Sequence, residues 1–188
     1  MDNGRISVRY ARALFQLAQE QGCEDAVYDG LTRFAHNYFL AIAQFNEVLA
    51  DPLVARDEKV KLVEMAVGEP LHGVLKQFIA FVAEKKREDK MFFIAMKYME
   101  MYREKHNILS TQVTTATELS AESYERIKAF IKQTFGADAE MEVKIDPSLI
   151  GGFILDIENT RLDASVTGQL NALKNNLQLS AISSQPSA

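Results

Sequence analysis

The sequence predicts an α+β protein, with an N-terminal all-α six-helix bundle followed by a small C-terminal α/β domain. Three observations predict it. Apolar residues recur at three- and four-residue steps as far as about Asn107. Beyond that point Gln112 to Thr117 is a β-branched run with period two. Finally, Gly151-Gly152 separates two strand-like stretches and is followed by a capped helical pattern. The expected organisation is a bundle over 1–107, an α/β domain over 108–180 and a flexible tail over 181–188.

Each element has its own reason. Ala11, Leu14, Phe15 and Ala18 form one stripe of the first helix, and Tyr10, Ala13, Leu14 and Leu17 form a second beside it. A surface helix needs only one stripe, so either this helix lies in the middle of the bundle or its second stripe receives something. Val27, Leu31, Phe34, Tyr38 and Ile42 mark a second helix from Asp25 to Ala43, and Phe45–Ala50 a short third before Asp51-Pro52. Arg56–Val67 is the fourth. Gly68 and Pro70 near a helix start introduce a fifth, carrying Leu71, Val74, Leu75, Phe78, Phe81 and Val82. The sixth begins at about Asp89, with Phe92, Ala95, Tyr98, Met99 and Tyr102 inward. In the second half, Ser120 caps a helix over Ala121 to Phe135, Ala137 to Ile145 holds a strand and Phe153 to Glu158 another. Asp163 reads as the cap of a last helix bearing Val166, Leu170, Leu173 and Leu177.

Composition excludes several function classes. With 47% hydrophobic and 25% charged residues, the 188-residue chain builds a core rather than a disordered tail. A net charge of −5 argues against nucleic acid as partner. The charge is uneven: residues 1–107 carry 15 basic and 16 acidic side chains, and the remainder 6 and 10. A basic or mixed-charge partner therefore suits the C-terminal part. Cys23 stands alone, so no disulfide framework or thiolate cluster is expected, and a reducing compartment fits. The opening Met-Asp-Asn-Gly-Arg has neither a secretory nor a transit pattern. No apolar run approaches the roughly 20 residues of a membrane helix, and direct membrane insertion is not expected.

Chemistry is scarce. His36, His72 and His106 lack ligand-spaced neighbours, so each reads as an ordinary polar residue and no metal is expected. Gly151-Gly152 lies between strands rather than between a strand and a helix, so it is no phosphate cradle, and neither nucleotide nor other cofactor is expected. No nucleophile elbow is present. The seven-charge run Glu84–Lys90 reads as a solvated helix junction rather than a docking patch. A small enzyme with an unrecognised pocket and a general helical adaptor remain as alternatives. A nucleotide, metal or substrate that raised thermal stability would favour the first.

Several ordered segments resemble the delta family of bacterial ATP synthases, whose mitochondrial relative is the oligomycin-sensitivity-conferring protein. They are Arg9-Tyr10-Ala11-Arg12-Ala13-Leu14-Phe15, Phe45…Leu49…Pro52…Lys59, Phe78…Glu84-Lys85-Lys86-Arg87 and Val113 to Ser120. The strongest are Ile145-Asp146…Leu149-Ile150-Gly151-Gly152 and Asp163-Ala-Ser165-Val166-Thr-Gly168. The chain departs from the family at Asp156 and Thr167, where a basic residue is common, and at Glu158, where glycine is common.

The resemblance implies a non-catalytic stator subunit of an F-type ATP synthase, peripheral on the cytoplasmic side of the bacterial inner membrane. It links the catalytic alpha/beta hexamer to the peripheral stalk, so that rotor torque is resisted and proton transport is coupled to ATP synthesis. The implied partners are N-terminal helices of alpha subunits for the bundle and the C-terminal ends of b-type stalk subunits for the α/β domain. By position, Tyr10, Ala13, Leu14 and Leu17 become one wall of an alpha-helix groove, and Val74, Phe78 and Phe81 the other. Asp146, Leu149, Gly151, Gly152, Asp163, Ser165 and Gly168 are the signature residues of the second domain, facing the stalk or holding the fold.

Overall fold

Helical periodicity governs the chain as far as His106, and β-branched alternation takes over immediately after it. A computed structural model describes residues 3–51, 53–158 and 160–170. The chain divides into two compact units, Met1–His106 and Asn107–Ala188.

In the first unit the described residues form α1 (Asn3–Glu20), α2 (Glu24–Leu40), α3 (Ile42–Ala50), α4 (Arg56–Val67), α5 (Gly73–Glu84) and α6 (Met91–His106). A 3-10 turn, Glu88–Lys90, precedes α6. α6 is the principal neighbour of both α1 and α2, so the first and last helices of the unit close on each other. Phe15 meets Tyr98 edge-on at 5.4 Å, and Tyr28 stacks on Tyr102 at 4.1 Å. The tyrosine hydroxyls at this seam are satisfied: Tyr98 donates to the Glu24 carbonyl (3.2 Å) and Tyr102 to Asp25 Oδ1 (2.7 Å). Burial raises the pKa of both phenols, keeping them neutral donors. Phe34, Tyr38 and Phe45 join α2 to α3, and the Tyr38 hydroxyl donates to Asn46.

Local boundaries differ from the sequence reading for identifiable reasons. The second helix stops at Leu40 rather than Ala43, because Ala41 leaves helical geometry (φ −132°, ψ 36°), and α3 starts at Ile42 rather than Phe45. Pro70 does not open α5. It lies three residues ahead, and His72 is the N-cap, its Nδ1 accepting from the Val74 amide at 3.3 Å. The charged run Glu84–Lys90 is not wholly solvated either. Lys59 Nζ donates to the Leu49 carbonyl (2.8 Å) and to Glu88 Oε1 (3.0 Å), with the two side chains only 6% and 15% exposed. That buried pair ties α3, α4 and the 3-10 turn together.

The second unit is a four-stranded sheet with one described α-helix of full length: β1 (Ile108–Thr115), α7 (Ala121–Phe135), β2 (Asp138–Ile145), β3 (Phe153–Ile157) and β4 (Thr160–Asp163). The order is β2-β1-β3-β4, with β1 parallel to β2 and the other pairs antiparallel. A parallel pair needs a crossover, and α7 supplies it. Ser120 caps α7 by accepting from the Ser123 amide (3.2 Å). One sheet face carries Val113, Ala139, Leu155 and Ile157 and packs on Ile127 and Ile131 of α7. The register puts Glu142, Gln112, Asp156 and Arg161 in a row across the opposite face.

β4 is a strand the sequence reading lacked. It corrects the reading of Asp163, which ends β4 instead of capping the last helix. Asp163 Oδ1 accepts from the Ser165 amide (2.9 Å), and Ser165 Oγ accepts from the Gly168 amide (2.9 Å), so Ser165 is the cap. Residues 166–170 are helical. Leu173 and Leu177 of that expected helix, and the tail over 181–188, lie outside the described residues.

Candidate docking surfaces

The two stripes of α1 have different fates. Ala11, Leu14, Phe15 and Ala18 are buried in the core of the first unit. Tyr10 and Leu17 are half-buried and Ala13 is exposed, so α1 lies at the surface and not in the middle of the helices. α5 runs beside this second stripe. The Tyr10 and Phe81 rings stand 6.0 Å apart, and Phe81 is 46% exposed, an apolar ring left at the surface where the two helices meet. The Lys85 ammonium lies 5.4 Å from the Phe81 ring centroid. Arg5, Arg9 and Arg12 all lie on α1 and are exposed, and Glu20 is its one carboxylate.

Of the seven groove candidates, Tyr10, Ala13, Leu17 and Phe81 present surface, whereas Val74 and Phe78 are buried beneath it. Leu14 is 0% exposed. It belongs to the core, and an aspartate there would disrupt folding rather than report on binding. Sequence spacing could not separate the two roles, because Leu14 belongs to both stripes.

The signature residues of the second unit fall in two places, the turn after β2 and the meeting of Gly151-Gly152 with residues 163–168. Asp146 Oδ1 accepts from the Ser148 amide (2.9 Å), and the Leu149 amide donates to the Asp146 carbonyl (3.1 Å), which fixes the turn after β2. Gly152 adopts φ +80°, and a Cβ there would collide with the Ala164 carbonyl oxygen and stand 2.9 Å from Ser165 Cα. The Val166 amide donates to the Gly151 carbonyl and the Ala164 amide to the Phe153 carbonyl, each at 3.0 Å. A Cβ on Gly168 would stand 2.5 Å from Asp163 Oδ2. Ser165 is buried, and Leu149 is half-buried. Hydrogen bonds from Ser148 and Ser165 hold the Asp146 and Asp163 carboxyls, respectively, below the ordinary carboxylate range. These residues hold the chain against itself. Ile150, Val166 and Leu170 instead turn outward and are exposed.

A shallow cleft of about 500 Å³ lies beside α7, lined by Leu119, Ile127, Phe130 and Phe153 among others. No group of three or more His, Cys, Asp or Glu placed to hold a metal occurs among the described residues.

The sequence model of the family described as ATP synthase delta (OSCP) subunit matches residues 6–177. The chain belongs to that family. It is 38% identical over 172 residues to the ATP synthase subunit delta of Phocaeicola vulgatus, covering 91% of this chain and 92% of that protein. It is 36% identical over 177 residues to the subunit delta of Bacteroides fragilis, covering 93% and 94%. The fold is similar to a chain of the Toxoplasma gondii mitochondrial ATP synthase hexamer, with a TM-score of 0.64 at 23% identity over 92% of this chain and 97% of that one. Delta subunits are structural components of the peripheral stalk of F-type ATP synthase, and this chain's role is accordingly a non-catalytic stator role. No helix among the described residues is long and apolar enough to cross a membrane.

Proposed function

We propose that the six helices of the first unit act as one bundle that grips N-terminal helices of alpha subunits, and that the second unit holds the C-terminal ends of b-type stalk subunits. The assembly then sits on the cytoplasmic side of the bacterial inner membrane. The chain supplies two adhesive surfaces in series and no reactive group, so the catalytic head is kept from following the rotor and proton flow stays coupled to ATP synthesis.

The observation that carries the reading is the half-exposed stripe Tyr10, Ala13 and Leu17 facing exposed Phe81 across α1 and α5. An amphipathic helix laid along it covers four apolar side chains, Tyr10, Ala13, Leu17 and Phe81, and Val74 and Phe78 form its floor. Arg9 and Arg12 beside the stripe favour carboxylates on the incoming helix. The test is calorimetric titration of the full chain with a synthetic peptide of the cognate alpha subunit's N-terminal helix. Leu17→Asp and Phe81→Asp are expected to weaken binding at least about tenfold, roughly 1.4 kcal/mol, with thermal unfolding unchanged. Unaltered affinity in both variants would refute the groove.

A further inference from the structure

β2 is an edge strand: the sheet order is β2-β1-β3-β4, and nothing among the described residues pairs with its outer side. Eight residues, Asp138–Ile145, thus offer a row of backbone donors and acceptors with no proline among them. The strand has two unlike faces. Asp138, Glu140, Glu142 and Lys144 alternate on the polar face, Asp138 held by Lys132 of α7 at 2.8 Å and the next two positions acidic. Ala139, Met141, Val143 and Ile145 project on the α7 face, with burial decreasing along the strand. Val143 is 38% and Ile145 48% exposed, although their β1 partners Val113 and Thr115 are buried.

We propose that the outer edge of β2 seats an extended polypeptide segment of a partner, alternating apolar and basic residues, as a fifth strand beyond Asp138–Ile145. Alternation follows from the pleat: every second side chain of the incoming strand lies beside Val143 and Ile145, and those between lie beside Glu140 and Glu142. Charge complementarity selects the occupant. A second copy paired antiparallel about Met141 would set Glu140 against Glu142 twice, a like-charge contact that a basic segment replaces with attraction. A basic segment meets the acidic row and has its backbone satisfied by the edge. The proposal does not depend on which subunit of the assembly supplies the segment.

The test uses the full chain and two blocked peptides as long as β2, one alternating valine and lysine and one alternating valine and glutamate. Fluorescence anisotropy is expected to show the lysine peptide binding roughly tenfold more tightly than the glutamate peptide. Glu142→Lys, at an exposed position, should reduce or invert that preference. Hydrogen exchange should show protection gained at alternate β2 amides on binding and none at β4. A lysine peptide N-methylated along its pairing edge should not bind. Failure of the lysine peptide to bind, equal binding of the two peptides, or binding without β2 protection would each overturn the proposal. So would a dimer of the free chain that Glu142→Lys dissociates, since a second copy would then occupy the edge.

Discussion

Replacing Gly152 by alanine tests whether the signature residues hold the fold. At φ +80° an L side chain is strained by roughly 1–2 kcal/mol. The new Cβ also meets backbone rather than a flexible side chain: the Ala164 carbonyl oxygen, and Ser165 Cα at 2.9 Å. Relieving that overlap pushes the 164–165 segment away from β3. It weakens the Val166-to-Gly151 and Ala164-to-Phe153 hydrogen bonds, each worth about 1 kcal/mol. The expected loss is about 3–4 kcal/mol, confined to the second unit. Urea unfolding gives the magnitude, and amide exchange gives the location. Ala164, Val166 and Gly168 should lose protection while α1 to α6 keep theirs. A loss below about 1 kcal/mol with those amides as slow as before would show that the close approach at Gly152 does not hold the segment.

Other perturbations probe separate features. Lys59→Met strands the Glu88 carboxylate and frees the Leu49 carbonyl, so a loss of about 3 kcal/mol is expected, with Lys59→Met/Glu88→Gln recovering part of it. Additive losses in denaturation would mean that the pair is not coupled. Because the Asp163 carboxyl is held below its unfolded range, its contribution is present above about pH 4 and fades as pH falls through the lower folded value. Asp163→Asn should therefore flatten the acid side of the stability profile, and identical slopes in thermal melts from pH 6 to about pH 3 would exclude this linkage. Glu158 closes the β3–β4 hairpin at φ +50°, so Glu158→Gly should stabilise by up to about 1 kcal/mol, and a lowered melting temperature would contradict the strain.

The readable parts of this chain are those where one local rule acts alone. α4 matches its expected span, Arg56–Val67, because its apolar period is framed by Asp51-Pro52 and Gly68. The break at Ala41 carries no glycine or proline, so Phe39 to Ala43 reads as one continuous helix. β4 escaped because Thr160–Asp163 is short and Glu158, not a glycine, takes the positive φ just ahead of it. Asp163 and Ser165 are both good caps, and only the hydrogen bonds show which amide each one serves. At the candidate groove, period alone places Leu14 and Leu17 on one stripe. Their separation depends on α6 and α5, far along the chain, and no local pattern encodes it.

Because α1 finds its main neighbour in α6, synthesis itself leaves a signature. At roughly 5–20 residues per second, a ribosome needs several seconds to deliver Met91–His106 after Glu20 has emerged. Throughout that interval Phe15 lacks the helix whose Tyr98 it will meet edge-on. Until the sixth helix arrives, the apolar stripe of the first stays open to non-specific association.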